Sequence, residues 1–492
     1  MLTGKPGRLL IGCLLLLLGK SSDAQFLDSL SASAGLNFRA ATQHYQPFWM
    51  VANQFGTVTD LKSDLSSFIK VSNKHVLASS ESQNDHGLYD FNDFSLSYGL
   101  SVYNNNHFRS TFLEEAYAKL EYRNWSLRAG RFEETTGDLD RQLSSGSLGI
   151  SGNALPIPKI GIAVTDYKDV PFTNGWLQFK GTFAHGWLGH DRYIRDSYYH
   201  EKTFFLRIGK GDLKIYGGIE HFAEWGGKRG GQAYGGSIHD FWDIVLLKES
   251  ESTPEKDPHY GDHRGVIDGG LYWDTRDYLV HGYIQKPFEG KNDIGFGTMN
   301  GLAGFDISWK NKYTGLQKIL FEIIDTKNVN SHVPVNKRES YYNNSVYKTG
   351  WEYRNYVIGT PLFLNRARAN DYFPEITPYN WNAPDSAIIQ NTNIVSNRVF
   401  AIHLGALYSI GGDFDGKTLI TYTANNGNYT NTDLFTPARG QVYCLQQFFY
   451  DLPKYNLTLT AGLGLDFGQL SHNDVAGIMV GATWNLATLR SQ

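Results

Sequence analysis

Apolar and polar residues alternate along much of the chain with a period of two. In the last such run, Ile478, Val480, Ala482, Trp484 and Leu486 alternate with Met479, Gly481, Thr483 and Asn485. Side chains of a β-strand point in turn to its two faces, so this pattern predicts strands with one apolar face and one polar face. Similar runs cover 30–38, 115–122, 303–310, 400–410 and 457–467. Helix-period apolar faces are scarce, and we predict an all-β fold.

Two architectures have strands of this kind. A soluble sandwich or barrel turns the apolar face inward, whereas an outer-membrane barrel turns it towards lipid. Many of the runs extend over ten residues or more, longer than the usual five or six of a globular strand. Aromatic residues, 14% of the chain, mark many run ends, and the polar faces carry charged residues. These features favour a transmembrane antiparallel outer-membrane β-barrel, with a secreted soluble β-protein as the alternative.

The first residues predict export from the cytoplasm. Lys5 and Arg8 precede an apolar run over 9–18, and Ser22 and Ala24 stand in the frame of a cleavage site. We predict a signal peptide over 1–24, cut near Ala24, and a single outer-membrane barrel domain over 25–492. At about 25 residues per strand and connection, that domain has roughly 16–18 strands. The region 25–60 and the final strand are expected to pair and close the barrel, because open edges are not tolerated in hydrocarbon.

Three stretches are too long for tight turns: 133–158, 248–264 and 360–397. Connections of this length are usually functional or disordered, and in an outer-membrane barrel the long loops lie outside the cell. One of them runs into "GSLGISGNALPIPKIGIAV" at 146–164, where glycines and prolines precede a strand pattern. The sequence therefore raises the question of what function an ordered loop serves just before this strand.

Composition narrows the possible chemistry. The net charge is −4 with no basic run, which argues against nucleic acid as a partner. After signal cleavage only Cys444 remains, so an intrachain disulfide is excluded. The glycine-rich stretches lack the spacing of a phosphate-binding loop, and the histidines lack that of a zinc site. We therefore expect no cofactor, no metal site and no catalytic residues, and a protein that is not an enzyme.

Aromatic residues cluster instead with amides and charged groups. Sugar rings stack on Trp or Tyr, while polar side chains bond their hydroxyls, so these clusters are candidate carbohydrate sites. The alternative is that they are girdle residues at strand ends. The candidates are His221, Trp225, Tyr272, Trp273, Arg276, Tyr341, Tyr342, Trp351 and Trp381.

Several segments resemble one family in the same order along the chain. They are "GSLGISGNALPIPKIGIAV", "HEKTFFLRIG" at 200–209, "GIEHFAEWGG" at 218–227 and "YYNNSVYKTGWEYRNYVIGTPLF" at 341–363. In these the chain is similar to the capsule-assembly Wzi family of outer-membrane proteins. The resemblance implies an 18-stranded barrel, an internal plug of helices or loops, and lectin-like attachment of exported capsular polysaccharide. It also implies that the segment before Ile160 packs in or over the lumen, its prolines setting an extended path.

The hypothesis is therefore an outer-membrane lectin-like protein that attaches and organises exported capsular polysaccharide at the cell surface. Its expected partners are capsular polysaccharide or exopolysaccharide and outer-membrane lipid, and we expect a monomer. Two alternatives remain open from the sequence. One is a diffusion porin or transporter, which needs an open lumen, and the other is a surface hydrolase.

Overall fold

The computed structural model describes residues 29–78, 81–83, 89–91, 94–248, 261–290, 294, 300–311, 315–329, 331, 340–430 and 435–488. The signal peptide predicted over 1–24 lies outside these residues and stays a prediction. Most of the predicted loop 248–264 also lies outside them.

Eighteen antiparallel strands form the wall of the molecule. In chain order they are β1 Ser31–Tyr45, β2 Leu61–Ala78, β3 Phe94–Asn105, β4 Ser110–Tyr122, β5 Trp125–Arg131, β6 Lys159–Asp169, β7 Leu177–Gly189, β8 Ser197–Ile208, β9 Leu213–Trp225, β10 Asp262–Asp274, β11 Tyr278–Phe288, β12 Gly301–Trp309, β13 Gly315–Asp325, β14 Val399–Gly411, β15 Phe414–Asn425, β16 Arg439–Leu452, β17 Leu457–Gly468 and β18 Val475–Thr488. Each strand pairs with its neighbours in the chain, and β1 pairs with β18, with Ser31 opposite Thr488. The sheet therefore closes on itself, which confirms the predicted all-β barrel and its strand number.

In the part of the chain that the structure describes, three α-helices and several short hairpins lie between the wall strands. The helices are α1 Phe48–Val51, α2 Ile238–Val245 and α3 Arg366–Tyr372, and 3₁₀ turns cover Asp385–Ala387 and Pro453–Tyr455. Two-stranded pairings join Glu81–Gln83 with Tyr89–Phe91, Lys228–Arg229 with Gln232–Ala233, Glu352–Tyr353 with Tyr356–Val357, and Leu364–Asn365 with Ile394–Ser396. Among the described residues, the helices are all too short or too polar to cross a bilayer.

The outer surface of the wall is apolar. In β18, the side chains of Val480 and Trp484 are 51% and 37% exposed, whereas that of Met479, next to Val480, is 7% exposed and faces the lumen. Exposed aromatic side chains collect at the end of the barrel where β1 begins and β18 ends: Tyr122, Trp125, Trp176, Trp273, Tyr278, Tyr450, Tyr455 and Trp484. An apolar band with an aromatic girdle is the surface that a bilayer requires. The protein is an outer-membrane β-barrel.

The connections give the barrel its orientation. At the end where β1 begins and β18 ends, seven connections have lengths from two residues (123–124) to seven (170–176), and only 79–93 is longer. The opposite end carries the long connections 46–60, 132–158, 226–261 and 326–398. Outer-membrane barrels have short periplasmic turns and long extracellular loops. The end where β1 begins and β18 ends is therefore periplasmic, and the long connections belong to the outer end.

Two of the long connections fold into the lumen. We call 132–158 and 340–398 together the plug. Most of their side chains are buried against the wall and against each other. Below the plug, the periplasmic half of the lumen contains a polar cavity of about 520 Å³ whose lining includes Lys74, Glu121, Arg123 and Lys168. The plug that the resemblance implies is therefore present, built mainly from irregular chain with the short helix α3 and the 3₁₀ turn Asp385–Ala387.

The two faces of β18 should respond differently to the same substitution. Val480→Arg places a charge on the lipid face near the middle of the strand, and we expect it to destabilise the barrel by about 2–4 kcal/mol. Thr483→Arg turns its side chain to the lumen and should cost much less. Denaturant titration of the barrel in lipid, followed by heat-modifiable gel mobility, measures both. Equal losses at the two positions would contradict the assignment of the faces.

Candidate functional site

The first half of the plug is tied to the wall by one carboxylate. Glu322 on β13 is fully buried. It accepts hydrogen bonds from Ser144 Oγ at 2.7 Å, from the Ser145 backbone N–H at 2.8 Å and from the Tyr283 hydroxyl at 2.6 Å. The Ser145 hydroxyl donates to it as well. Hydrogen bonds to a buried charge are among the stronger ones in proteins, so this group fixes the loop in the middle of the lumen.

A second tie is ionic. The Lys159 ammonium at the start of β6 lies between Glu134 of the plug and Glu201 of β8, with Nζ 2.6 Å from Glu201 Oε2. Burial alone raises the pKa of Glu134, but the charges of Lys159 and Arg128 outweigh it and bring that pKa to about 2. The Glu134 carboxylate thus stays charged, and the plug is joined to two strands at once.

The second half of the plug packs on the first through aromatic residues. The Tyr342 hydroxyl donates to the Leu148 carbonyl at 2.6 Å, and the Trp351 indole N–H donates to the Gly149 carbonyl at 3.1 Å. The Arg264 guanidinium lies 4.6 Å from the Trp351 ring centroid. At Gly359 a Cβ atom would lie 1.8 Å from the Tyr342 hydroxyl, so this position requires glycine. The glycine-rich motif at 146–164 is therefore the contact surface between the two halves.

A group of three glutamates lies on the lumen side of β4. Carboxylate oxygens of Glu114, Glu115 and Glu133 come within 4.8 Å of one another, a spacing that can hold a cation. A β-bulge produces this arrangement, because Ser101 pairs with Glu115 and Val102 with Leu113, which leaves Glu114 as the extra residue. The Lys70 ammonium lies 3.4 Å from Glu114 and 2.9 Å from Glu133 and supplies a positive charge there.

At the outer end, the plug and the connection 46–60 enclose a cavity of about 310 Å³. We call it the rim cavity. Its lining combines two guanidinium groups, two carboxylates, three amides and several rings. The lining residues are Phe48, Val51, Ala52, Asp60, Asn153, Arg354, Asn355, Tyr356, Val357, Pro361, Phe363, Asn365, Ala367, Arg368 and Asp371. This volume is within the range of small-molecule sites, and the mixture of rings with polar groups suits a hydroxylated ligand.

A two-residue turn carries the most exposed polar groups of the rim cavity. Arg354 and Asn355 connect Glu352–Tyr353 with Tyr356–Val357 and have φ values of +55° and +68°. Left-handed backbone is uncommon for arginine, and strain of this kind often marks a functional position. The Asn365 side-chain amide braces the turn by donating to the Asn355 carbonyl at 2.7 Å. Both turn side chains are exposed, and Arg354 makes no ion pair with any described residue.

On the opposite side of the rim cavity, charged side chains pair with one another. Arg368 Nη1 lies 3.3 Å from Asp371 and 3.6 Å from Asp60, and Nη2 donates to the Gln46 carbonyl at 3.0 Å. Burial raises the pKa of Asp371 to about 7, with Arg368 opposing the shift and Asp60 reinforcing it. The charge of the cavity therefore changes near neutral pH, becoming more positive as the pH falls.

The structure separates the nine residues that the sequence singled out. His221, Trp225 and Trp273 lie on the outer face of the wall, where Trp273 is 51% exposed. Arg276 lies in the periplasmic turn 275–277, far along the strands from the long connections.

The other five candidates lie inside. Tyr272 faces the lumen and stacks on His281, with ring centroids 4.1 Å apart. Tyr341, Tyr342 and Trp351 form the core of the plug. Trp381 is 8% exposed and packs with Tyr193 and Tyr347 at the outer end. The nine therefore do not form one group, and none of them lines the rim cavity.

Comparison with known protein families identifies the family of this chain. The sequence model of a family described as capsule assembly protein Wzi matches residues 51–367. The chain belongs to the Wzi family. The resemblance stated from sequence motifs is thereby confirmed. A search of curated proteins gives no match.

Solved structures support the fold. The barrel matches Wzi of Escherichia coli, an outer-membrane protein involved in group 1 capsule assembly and a carbohydrate-binding β-barrel, with a TM-score of 0.58 and 14% identity. The match covers 99% of this chain and 90% of the other. Pseudomonas aeruginosa OpdO matches with a TM-score of 0.44 and 10% identity, over 94% of this chain and 98% of that one. That TM-score is too low to carry an argument.

Sequence reasoning missed the rim cavity because its members are spread over 48–371. One local signal was available. The stretch Glu352 to Val357 is two short strand segments around Arg-Asn, and asparagine favours the left-handed conformation that such a two-residue turn requires. That signal predicts the turn, but it does not predict that Asp60 and Asn153 lie opposite.

Proposed function

We propose that this protein binds exported capsular polysaccharide at the outer mouth of its barrel and thereby holds the polymer on the cell surface, in a lectin-like role. The observation that carries the proposal is the rim cavity. Its position at the extracellular end gives a surface polymer direct access. Membership of the Wzi family supports the capsule as the source of the ligand.

The chemistry of the rim cavity suits a sugar. Asn153, Asn355 and Arg354 present planar groups that can bond adjacent hydroxyls or a sugar carboxylate, and arginine does so in a bidentate manner. Tyr356 and Phe363 supply ring surface. Two of these groups are already fixed: the Asn153 amide donates to the Val357 carbonyl at 2.9 Å, and the Tyr356 hydroxyl donates to the Val58 carbonyl at 2.8 Å. A preformed site loses little conformational entropy when a ligand binds.

The buried aromatic candidates have a supporting role in this proposal. Tyr341, Tyr342 and Trp351 hold the two halves of the plug together and so keep the Arg354–Asn355 turn in place. They act through packing, without contact to the polymer. Occupation of the lumen by the plug favours binding over diffusion as the function of the barrel.

Replacement of Arg354 by alanine should weaken glycan binding about tenfold, or 1.4 kcal/mol, because a charged hydrogen-bond donor at the mouth is lost. The measurement is binding of the purified barrel in detergent to capsular polysaccharide from its own host. Arg276→Ala is the matched control, since it removes the same charge from an exposed turn at the periplasmic end. Equal affinity of the Arg354 variant and the wild type would contradict the proposed site, and a loss confined to the Arg276 variant would place the site at the periplasmic end.

A further inference from the structure

One helix lies on the outside of the barrel. The outward-facing side chains Ala223 and Trp225 of β9 pack against Phe241 and Ile244 of α2. Their neighbour Phe222 points the other way, with its ring 5.6 Å from that of Trp351 in the plug. Helix α2 therefore covers the outer surface of the wall over β7–β10, on the side that faces lipid elsewhere.

Beneath and beside α2 the wall carries polar side chains that are unusual for a lipid-facing surface. They are His185 on β7, His200 and Lys202 on β8, His221 on β9 and His263 on β10, which all point outward by strand register. His221 Nε2 lies 2.9 Å from His263 Nδ1. The Phe241 ring lies edge-on to both His185 and His200, with centroids 5.9 Å and 6.0 Å apart.

The helix leaves few polar backbone groups open at its ends. Ser237 and Asp240 form a capping box at its start, in which the Asp240 backbone N–H donates to Ser237 Oγ and the Ser237 backbone N–H donates to the Asp240 carboxylate. At its end, the Lys202 ammonium donates to the Val245 carbonyl. This pairing satisfies a carbonyl and a cation together, as burial away from water requires.

The far side of α2 carries an apolar ridge that none of the residues described by the structure covers. Ile238, Trp242 and Leu246 follow one another at intervals of four residues and are 74%, 52% and 64% exposed. Residues four apart lie on one side of a helix, so the three form a continuous ridge. The ridge continues the exposed apolar surface of the adjoining strands, where Phe183, Phe204 and Leu206 face outward.

We propose that α2 lies in the outer leaflet of the membrane, with the Ile238–Trp242–Leu246 ridge in contact with lipid acyl chains. The helix separates the outward histidines and Lys202 from hydrocarbon, and its own apolar ridge faces the lipid in their place. Continuity of the ridge with the lipid-facing band identifies lipid as the occupant. This interaction surface is separate from the rim cavity and does not depend on glycan binding.

Spin-label accessibility tests the proposal. Trp242→Cys and Leu246→Cys are made separately in a Cys13→Ala, Cys444→Ala background, labelled, and reconstituted in liposomes of phosphatidylcholine and phosphatidylglycerol. Gln232→Cys, exposed in the hairpin of the same connection, is the matched control. Heat-modifiable mobility verifies that each variant is folded.

Labels at 242 and 246 should collide more with oxygen, which dissolves in hydrocarbon, than with a water-soluble nickel chelate, and the label at 232 should show the reverse. Nickel accessibility at 242 and 246 equal to that at 232 would overturn the proposal, because it would place the ridge in water. Shielding from both reagents together with dipolar broadening between labels would also overturn it, because a second copy of the chain would then cover the ridge.

Discussion

Planar bilayers containing a Glu322→Ala variant should show discrete conductance steps that bilayers with the wild-type protein lack. The substitution removes the acceptor of the hydrogen bonds from Ser144, Ser145 and Tyr283. Each hydrogen bond to a buried charge contributes about 1.5–3 kcal/mol, so the segment around 144 should detach from the wall. The lumen would then connect the outer end with the polar periplasmic cavity.

The control for this experiment is Asp325→Ala, three residues further along the same strand. Its carboxylate is partly exposed and pairs with Lys327 outside the plug. We expect that variant to conduct like the wild type. Identical traces from the Glu322 and Asp325 variants would mean that other contacts suffice to hold the plug.

Replacement of Lys159 by methionine should lower the free energy of unfolding by about 3–5 kcal/mol at neutral pH. The reason is that the Glu134 and Glu201 carboxylates would stay buried without their shared cation. Denaturant titration in detergent measures the effect. Lys454→Met removes an exposed ammonium from the turn Pro453–Tyr455 and should change little.

The same network predicts the response to acid. The pKa of Glu134 falls from 4.5 to about 2 on folding, so its contribution of about 3 kcal/mol is present above pH 4.5 and is lost as the pH falls towards 2. In Lys159→Met this acid-dependent loss should be smaller, since the pKa is no longer held as low. Parallel stability profiles of variant and wild type across that window would show that Lys159 is not the group responsible.

The wall of the barrel can be predicted from the sequence because alternate residues of each strand face lipid, which requires apolar side chains, and the lumen, which accepts polar ones. In β14, His403 faces the lumen and is fully buried, while the next residue, Leu404, is 48% exposed on the outer surface. This contrast repeats around the wall outside the surface that α2 covers, so a period of two indicates the strand positions and the lipid face, and a lipid-facing sheet must close. The plug is predicted by the resemblance of the sequence motifs to the Wzi family and not by the alternation.

The alternation of apolar and polar residues does not predict the candidate functional site. Glu322 meets Ser144 across 178 positions of sequence, and no local pattern predicts that contact. The aromatic residues of "GIEHFAEWGG" are candidate sugar ligands by their sequence context, yet Trp225 packs under α2 on the outer surface. The helix itself has only eight residues, too few for its periodicity to stand out among strands.

The seam between β1 and β18 has a consequence for biogenesis. Ser31 pairs with Ser72 of β2 on one side, but its partner on the other side is Thr488, so the closing contact is the most non-local strand pairing of the barrel wall. Loop-closure entropy and topology make such contacts slow and late. Until that moment the barrel is an open sheet with two unpaired edges, the arrangement that promotes aggregation. The newly made chain therefore needs protection of these edges between its synthesis and its insertion into the membrane.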